Sequence, residues 1–521
     1  MHTELTDSTP AMRAIGPRWI WWLAIASPLL ALLVTQPWHA SAFPVWDFAE
    51  MLPILRGAEG PVDAFSRLAA FTRSDGRANY LTYLQIVGTW AIVGEDPLGW
   101  QWQRALLMLS LGTAFVITVR RLGGTPFAAA SGALMLVLAV PGTEGWLLLS
   151  GEPLAAILLL AVVILGRSAP TPATLTLLLL ATFGTMLAKE VVGVLLPTAL
   201  LVAICWDPRR GLDWRWPRRT LGWLTAGLGA VLVVEAGSVI AAIRDARPDA
   251  YATQFQPGVD RLTRVPQLFE AMLLPVRYLS STSAGLLYPA NAAFLLLLLG
   301  GGIVWWRQRA PSERRGGAFL ALLLLSLPVI GAITYAFWPR YSAFYGIPFA
   351  LGGAGLLSLA LTQLKQRGWN GRVATAGATV VVLLFTAFAS ARTVAERQAF
   401  ANLALVAVQQ LGRMPEVDTV LVVKAGPGRN RWPITGPELA RYAAAMRIDP
   451  SGIPVMLDSS CPDVAARLRA PLGRLAILND QNACGSLPAV SHRFQAAADY
   501  FDWLSLAQRP DTLRLELLAV P

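Results

Sequence analysis

Residues 152–190 read EPLAAILLLAVVILGRSAPTPATLTLLLLATFGTMLAKE. Two apolar runs, about 152–167 and 172–187, are joined by the short polar break Arg167-Ser168-Ala169-Pro170-Thr171. Neither run shows the alternation that a barrel strand would need. Apart from Arg167 in that break, their charges stand at the far ends, where Glu152 opens the first run and Lys189-Glu190 closes the second. Such runs suit helices that satisfy their own backbone hydrogen bonds across hydrocarbon.

The same pattern extends outward along the chain. Over 521 residues, 55% are hydrophobic and 14% charged, with a mean hydropathy of +0.50, well outside the balance of a soluble globular protein. Further apolar segments lie at about 19–37, 104–120, 126–141, 191–206, 220–242, 284–306, 317–337, 341–363 and 372–390. The sequence therefore predicts an all-α polytopic membrane bundle of about eleven transmembrane helices. Arg13 and Arg18 before the first run, and Ala40-Ser41-Ala42 after it, imitate a cleavable signal. That run is long for a signal peptide, so a retained first span is expected.

The net charge of +11 reads as membrane orientation rather than affinity for nucleic acid. With residues 1–18 in the cytoplasm, Arg120, Arg121, Arg167, the cluster from Arg209 to Arg219, the cluster from Arg307 to Arg315 and the cluster from Lys365 to Arg372 all fall on the inner side, as the positive-inside rule requires. Two long outer loops result, at about 38–103 and 244–283. Within the first, residues 80–93 are too short and too interrupted for a span. They are expected to form a helix at the membrane surface, with Trp90, Trp100 and Trp102 at headgroup depth.

After about residue 391 the composition changes. An amphipathic helix at about 394–411 precedes a β-branched stretch at 417–424 and the turn Gly426-Pro427-Gly428. Helices are expected at 437–446 and 464–468, and strands at 453–457 and 475–478. Residues 391–521 thus read as a small α/β domain, placed outside the cytoplasm by an odd number of spans. There Cys461 and Cys484 could be joined, a spacing that permits a disulfide without requiring one. The three histidines and three cysteines show no zinc or haem spacing, and the glycine turn lacks the phosphate-loop frame.

Candidate chemical groups gather on the side opposite the arginine loops. Asp47, in Phe43-Pro44-Val45-Trp46-Asp47-Phe48, is an acid in an apolar setting and suits a general base; as an Asp it equally suits a helix cap. Glu152 opens a span, and an acid at a helix start is favoured by the positive end of the macrodipole. Lys189 is one of three lysines among 43 basic residues; an amine there can bind a phosphate, pair with Glu190, or snorkel. Arg340, followed by Tyr341, can clamp a phosphate or anchor at the interface. Glu235 lies inside a span, where a charge costs on the order of 3 kcal/mol unless it is paired or faces a cavity.

In order and position, Trp46-Asp47, Arg120-Arg121-Leu122-Gly123, Glu152-Pro153, Ala188-Lys189-Glu190 and Arg340-Tyr341 resemble the GT-C glycosyltransferases. The similarity is to the family 39-like group of protein mannosyltransferases and aminoarabinose transferases. It covers about residues 15–390. The resemblance implies an inverting transferase that moves a sugar from a polyprenyl-phosphate donor to a lipid, glycan or protein hydroxyl. Asp47 would then be the base, Lys189 and Arg340 the groups facing the leaving phosphate, and Glu152 a substrate-orienting acid. No cofactor is required by it, and Mg²⁺ or Mn²⁺ assistance stays open, because Asp47 is followed by Phe48 where many members carry a second acid. Forty arginines against three lysines suggest a high-GC bacterium and hence its cytoplasmic membrane. Two competing readings are a transporter or flippase of a lipid-linked solute and a non-catalytic subunit of envelope-glycan assembly.

Overall fold

The computed structural model describes residues 47–74, 76–138, 151–189, 192, 195–207, 211–212, 216–245, 401–414, 417–423, 455–469, 475–480, 492–500 and 511–520, with a few isolated positions. The expected spans at 19–37, 317–337 and 341–363 lie outside the described residues, and those at 284–306 and 372–390 do so but for isolated helical positions. Also outside are Gly426-Pro427-Gly428 and nearly all of the second long loop.

Three helices form a layer at one end of the molecule: α1 (Asp47–Arg56), α2 (Pro61–Ser74) and α3 (Tyr80–Val93). Six more make a bundle: α4 (Pro97–Arg121), α5 (Pro126–Leu138), α6 (Glu152–Gly166), α7 (Pro172–Ala188), α8 (Leu196–Cys205) and α9 (Arg218–Arg244). Two-residue strands β1 (Trp206–Asp207) and β2 (Gly211–Leu212) pair antiparallel between α8 and α9. Proline sits in the first turn of α4, α6 and α7, where its missing N–H has no intrahelical partner to lose. Asp96 caps α4 by accepting from the N–H groups of Leu98 and Gly99, and Thr171 caps α7 by accepting from Thr174.

The short connections after α4 and α6 make α4–α5 and α6–α7 antiparallel neighbours. α4 packs on α5 and α6, α6 on α7 and α8, and α7 on α9. Their shared core is apolar and rich in alanine, including Leu111, Phe115, Ala129, Ala133, Ala156, Leu160 and Ala203. Gly166 allows α6 to lie against α8, since a Cβ there would stand 2.5 Å from that of Ala203. Arg120 and Arg121 end α4, Arg167 follows α6, and Arg218 and Arg219 open α9, whereas the α1–α3 layer meets the bundle at the opposite end of α6 and α7.

Among the described residues two helices, α4 and α9, are long and apolar enough to cross a membrane, and α3, α5, α6 and α7 are shorter apolar helices. α9 exposes Trp223 (71%) and Val233 (73%), large apolar side chains that water would penalise. On the same helix Glu235 is only 2% exposed, so the one acid within this apolar run turns away from the exposed face.

The layer is tied down by polar contacts. Arg56 makes a two-pronged pair with Glu95, through Nε to Oε1 at 2.8 Å and a second nitrogen to Oε2 at 2.6 Å. Arg73 pairs with Asp245 at 2.6 Å, linking α2 to the end of α9. Trp100, expected at headgroup depth, is instead 1% exposed and donates its indole N–H to the Gly94 carbonyl at 2.9 Å. The indole finds its polar partner in the α3–α4 turn, so the ring belongs to the core.

The C-terminal part is a three-layer α/β unit. Its sheet has the order β4-β3-β5-β7-β6, from β3 (Thr419–Val423), β4 (Val455–Ser459), β5 (Leu475–Asp480), β6 (His492–Tyr500) and β7 (Asp511–Val520). β3 runs parallel to β4 and β5, while β7 pairs antiparallel with β5 and β6. Strand alternation sends Val420, Val422, Ala476 and Leu478 to one face and Leu421, Val423 and Ile477 to the other. The second face is covered by helix α11 (Cys461–Arg469) and by Cys461 and Cys484, which are disulfide-bonded with a Cα–Cα distance of 5.4 Å. The first is covered by helix α10 (Ala401–Leu411). Leu403, Ala404, Ala407, Val408 and Leu411 of α10 share one buried cluster with the sheet and with Leu52, Leu55, Leu68, Tyr83, Ile86 and Val87 of the α1–α3 layer.

Sequence reading placed β3 and β5 closely and β4 two residues early, but missed β6 and β7. β6 (HRFQAAADY) is alanine-rich and β7 (DTLRLELLAV) rich in Leu, Arg and Glu, so neither carries a strong strand composition. Nine paired residues form the β6–β7 ladder, and tertiary pairing overrides that local preference.

Leu411, 2% exposed at the junction between sheet and layer, is expected to cost about 2–5 kcal/mol when cut to Ala. The loss would be read as earlier unfolding and faster proteolysis of the tail. A second expectation concerns α11, where Ser460 and Asp463 form a reciprocal cap. Hydrogen bonds from the Ser460 hydroxyl, then from its backbone N–H, hold the Asp463 carboxyl below its usual range. This contribution is complete above the unfolded carboxyl pKa and is lost as pH falls through the lower folded value. Asp463→Asn should therefore flatten the acid-side loss of hydrogen-exchange protection at the start of α11.

Candidate active site

The α6–α7 hairpin brings Glu152 and Lys189 together. Glu152 is the first residue of α6, and Lys189 is the residue that ends α7. Because the two helices are antiparallel, the positive end of one dipole and the negative end of the other lie side by side. An acid at the first and an amine at the second are each favoured there. The Lys189 ammonium stands 3.0 Å from Glu152 Oε1. Glu152 is fully buried and Lys189 is 4% exposed. Burial at that level makes the pairing matter to both charges.

A third element closes over the pair. Thr82, in the first turn of α3, donates its hydroxyl to the Ala188 carbonyl at 2.6 Å across 106 residues of sequence. Gly151, just before Glu152, lies against both: a Cβ there would meet Thr82 Oγ1 at 1.8 Å and the Ala188 oxygen at 2.8 Å. Only a glycine permits three backbones to meet so closely. The pair therefore lies where the α1–α3 layer meets the bundle, at the end away from the helix-terminal arginines.

The other candidates are placed less fully. Asp47 is the first residue of α1, within the same layer. Glu190, Arg340 and Tyr341 lie outside the described residues. Among the described residues, no group of three or more His, Cys, Asp or Glu is arranged to hold a metal ion.

Two contributors escaped the sequence reading. Thr82 and Gly151 look unremarkable in Leu81-Thr82-Tyr83 and Ser150-Gly151-Glu152. Glycine directly before a helix-opening acid was the available signal for a close approach. Arg104, within α4 at the presumed start of a span, is 1% exposed and adds a second buried cation to the bundle.

No family model and no curated protein matches the chain. Two solved structures are similar to it over most of its length. The crystal structure of ArnT from Cupriavidus metallidurans in the apo state is 13% identical, with a TM-score of 0.47, and the match covers 96% of this chain and 98% of that one. The cryo-EM structure of the arabinofuranosyltransferase AftD from Mycobacteria is 16% identical, with a TM-score of 0.41. That match covers 97% of this chain, which spans 42% of AftD's length.

Removing one charge of the buried pair takes from the other its close ionic partner. Glu152→Gln or Lys189→Met alone is expected to cost about 3–5 kcal/mol, whereas the double change Glu152→Leu with Lys189→Met should recover most of that loss. Thermal unfolding in detergent, comparing the two singles with the double, measures the coupling.

Proposed function

We propose that this protein is a multi-pass membrane glycosyltransferase that moves a sugar from a polyprenyl-phosphate donor to an acceptor hydroxyl at the outer face of a bacterial cytoplasmic membrane. The observation that carries the reading is the Glu152–Lys189 ion pair, buried where the α1–α3 layer roofs the bundle. Fifteen residues of α6 rise about 22 Å, short of the roughly 30 Å of hydrocarbon. An amine at that depth suits a phosphate carried on a membrane lipid better than one dissolved in water.

In this reading Asp47 accepts the acceptor's proton as its oxygen attacks the anomeric carbon, and the sugar–phosphate bond breaks with inversion. Lys189, together with Arg340, offsets the charge that develops on the departing lipid phosphate. Glu152 holds the ammonium in place and keeps the empty site neutral. The isoprenoid tail lies among the spans, and the exposed apolar side chains of α9 supply a face suited to lipid. About eleven spans put the N-terminus in the cytoplasm and the α/β unit outside. That unit, bound to the layer through α10, is suited to presenting the acceptor.

Buried Glu235 and Arg104 favour a second reading, transport or flipping of a lipid-linked solute, because charges within the helices could line a path.

The test is mass spectrometry of extracted polyprenyl-phosphate sugars and envelope glycans from cells with wild-type protein, Asp47→Asn or a deletion, at matched membrane levels. Asp47→Asn is expected to accumulate the glycosylated lipid and lose one glycan modification, as the deletion does. A normal glycan profile in Asp47→Asn beside a changed profile in the deletion would sink the assignment of the base and move transport ahead.

A further inference from the structure

The Ala188–Lys189 peptide is held from both sides. Its carbonyl accepts from the Thr82 hydroxyl at 2.6 Å, and its N–H donates to the Thr185 carbonyl at 3.1 Å. A peptide unit is planar, so fixing both polar atoms fixes the plane and with it the direction in which the Lys189 Cα carries its side chain. Lys189 then leaves the helix in an extended conformation, φ −161° and ψ 111°, and its own carbonyl accepts from Val192 N at 3.1 Å. The Ala188 carbonyl is among the last four of α7 and has no partner within its own helix. The partner comes from α3, an element of the other layer.

We propose that Thr82 is a positioning residue for Lys189, through which the α1–α3 layer sets the place of the phosphate-binding amine. The bond joins the layer that carries Asp47 to the turn that carries Lys189. Gly151 is part of the device: its lack of a Cβ is what lets Thr82 reach Ala188 beside Glu152. The consequence for catalysis rests on the phosphate-binding reading of Lys189; the consequence for the amine itself does not.

The chain has only three lysines, Lys189, Lys365 and Lys424, so acylation of the full-length protein in nanodiscs can be followed at each by peptide mass spectrometry. Thr82→Val keeps the shape and removes the hydroxyl, while Thr82→Ser keeps the hydroxyl. In Thr82→Val, Lys189 is expected to acylate about three- to ten-fold faster, the opening that loss of one hydrogen bond permits. Lys365 and Lys424 should hold their wild-type rates, and Thr82→Ser should restore the wild-type rate at Lys189. An unchanged Lys189 rate in Thr82→Val, or an equal rise at all three lysines, overturns the positioning role. Farnesyl phosphate, used as the probe, should protect wild-type Lys189 more than inorganic phosphate at equal concentration. Loss of that protection in Thr82→Val with rescue in Thr82→Ser supports the link to the site. If farnesyl phosphate fails to protect the wild type while the Val and Ser rates behave as expected, the phosphate reading falls and the positioning role stands.

Discussion

The buried ion pair between Glu152 and Lys189 is the constraint around which the described structure is arranged. Two opposite charges removed from water are tolerated only when they meet at close range and when nearby dipoles favour them. The antiparallel hairpin of α6 and α7 meets both conditions at one point. It also fixes the register of the two helices, since a shift of one turn would move either charge about 5.4 Å and leave both uncompensated. Gly151 and Thr82 then bring α3 onto the same point, so that hairpin register and the seat of the α1–α3 layer are settled together.

A second consequence runs toward the C-terminus. The layer buries Leu52, Leu55, Leu68, Tyr83 and Ile86 against the same cluster that includes α10 and one face of the five-stranded sheet. Helix α10 is too short to be stable in water by its own propensity and is held because both neighbours are apolar. The α/β unit thereby shares one core with the α1–α3 layer. Its far face, under α11 and the Cys461–Cys484 disulfide, makes a separate, smaller core.

Much of this was readable from residues. Apolar run lengths and their polar breaks located α4 to α9, and the Gly/Thr-interrupted stretch at 80–93 gave α3 at the residues observed. β-branched composition gave β3. β6 and β7 were not readable, because Ala, Leu, Arg and Glu favour helix locally and only pairing with each other and with β5 makes them strands. Trp100 was misplaced for a related reason: an indole near a span end suits an interface as well as a core, and the deciding partner, the Gly94 carbonyl, is set by the shape of a turn. At the site, Glu152 and Lys189 stood out as isolated charges in apolar sequence, but nothing local to either residue showed that the two would pair.

By itself the sequence determined that the chain is built of apolar helices with charge confined mainly to their ends, followed by an α/β unit. Hydropathy and run length are local quantities, and they carry through to the fold without help from distant residues. The tertiary structure decided which charges meet, which tryptophan is core, and that a threonine 106 residues away holds the peptide before Lys189. Those outcomes depend on the distance between groups remote in sequence. A carboxylate, an ammonium and a hydroxyl acquire their roles only when helix packing sets that distance near 3 Å.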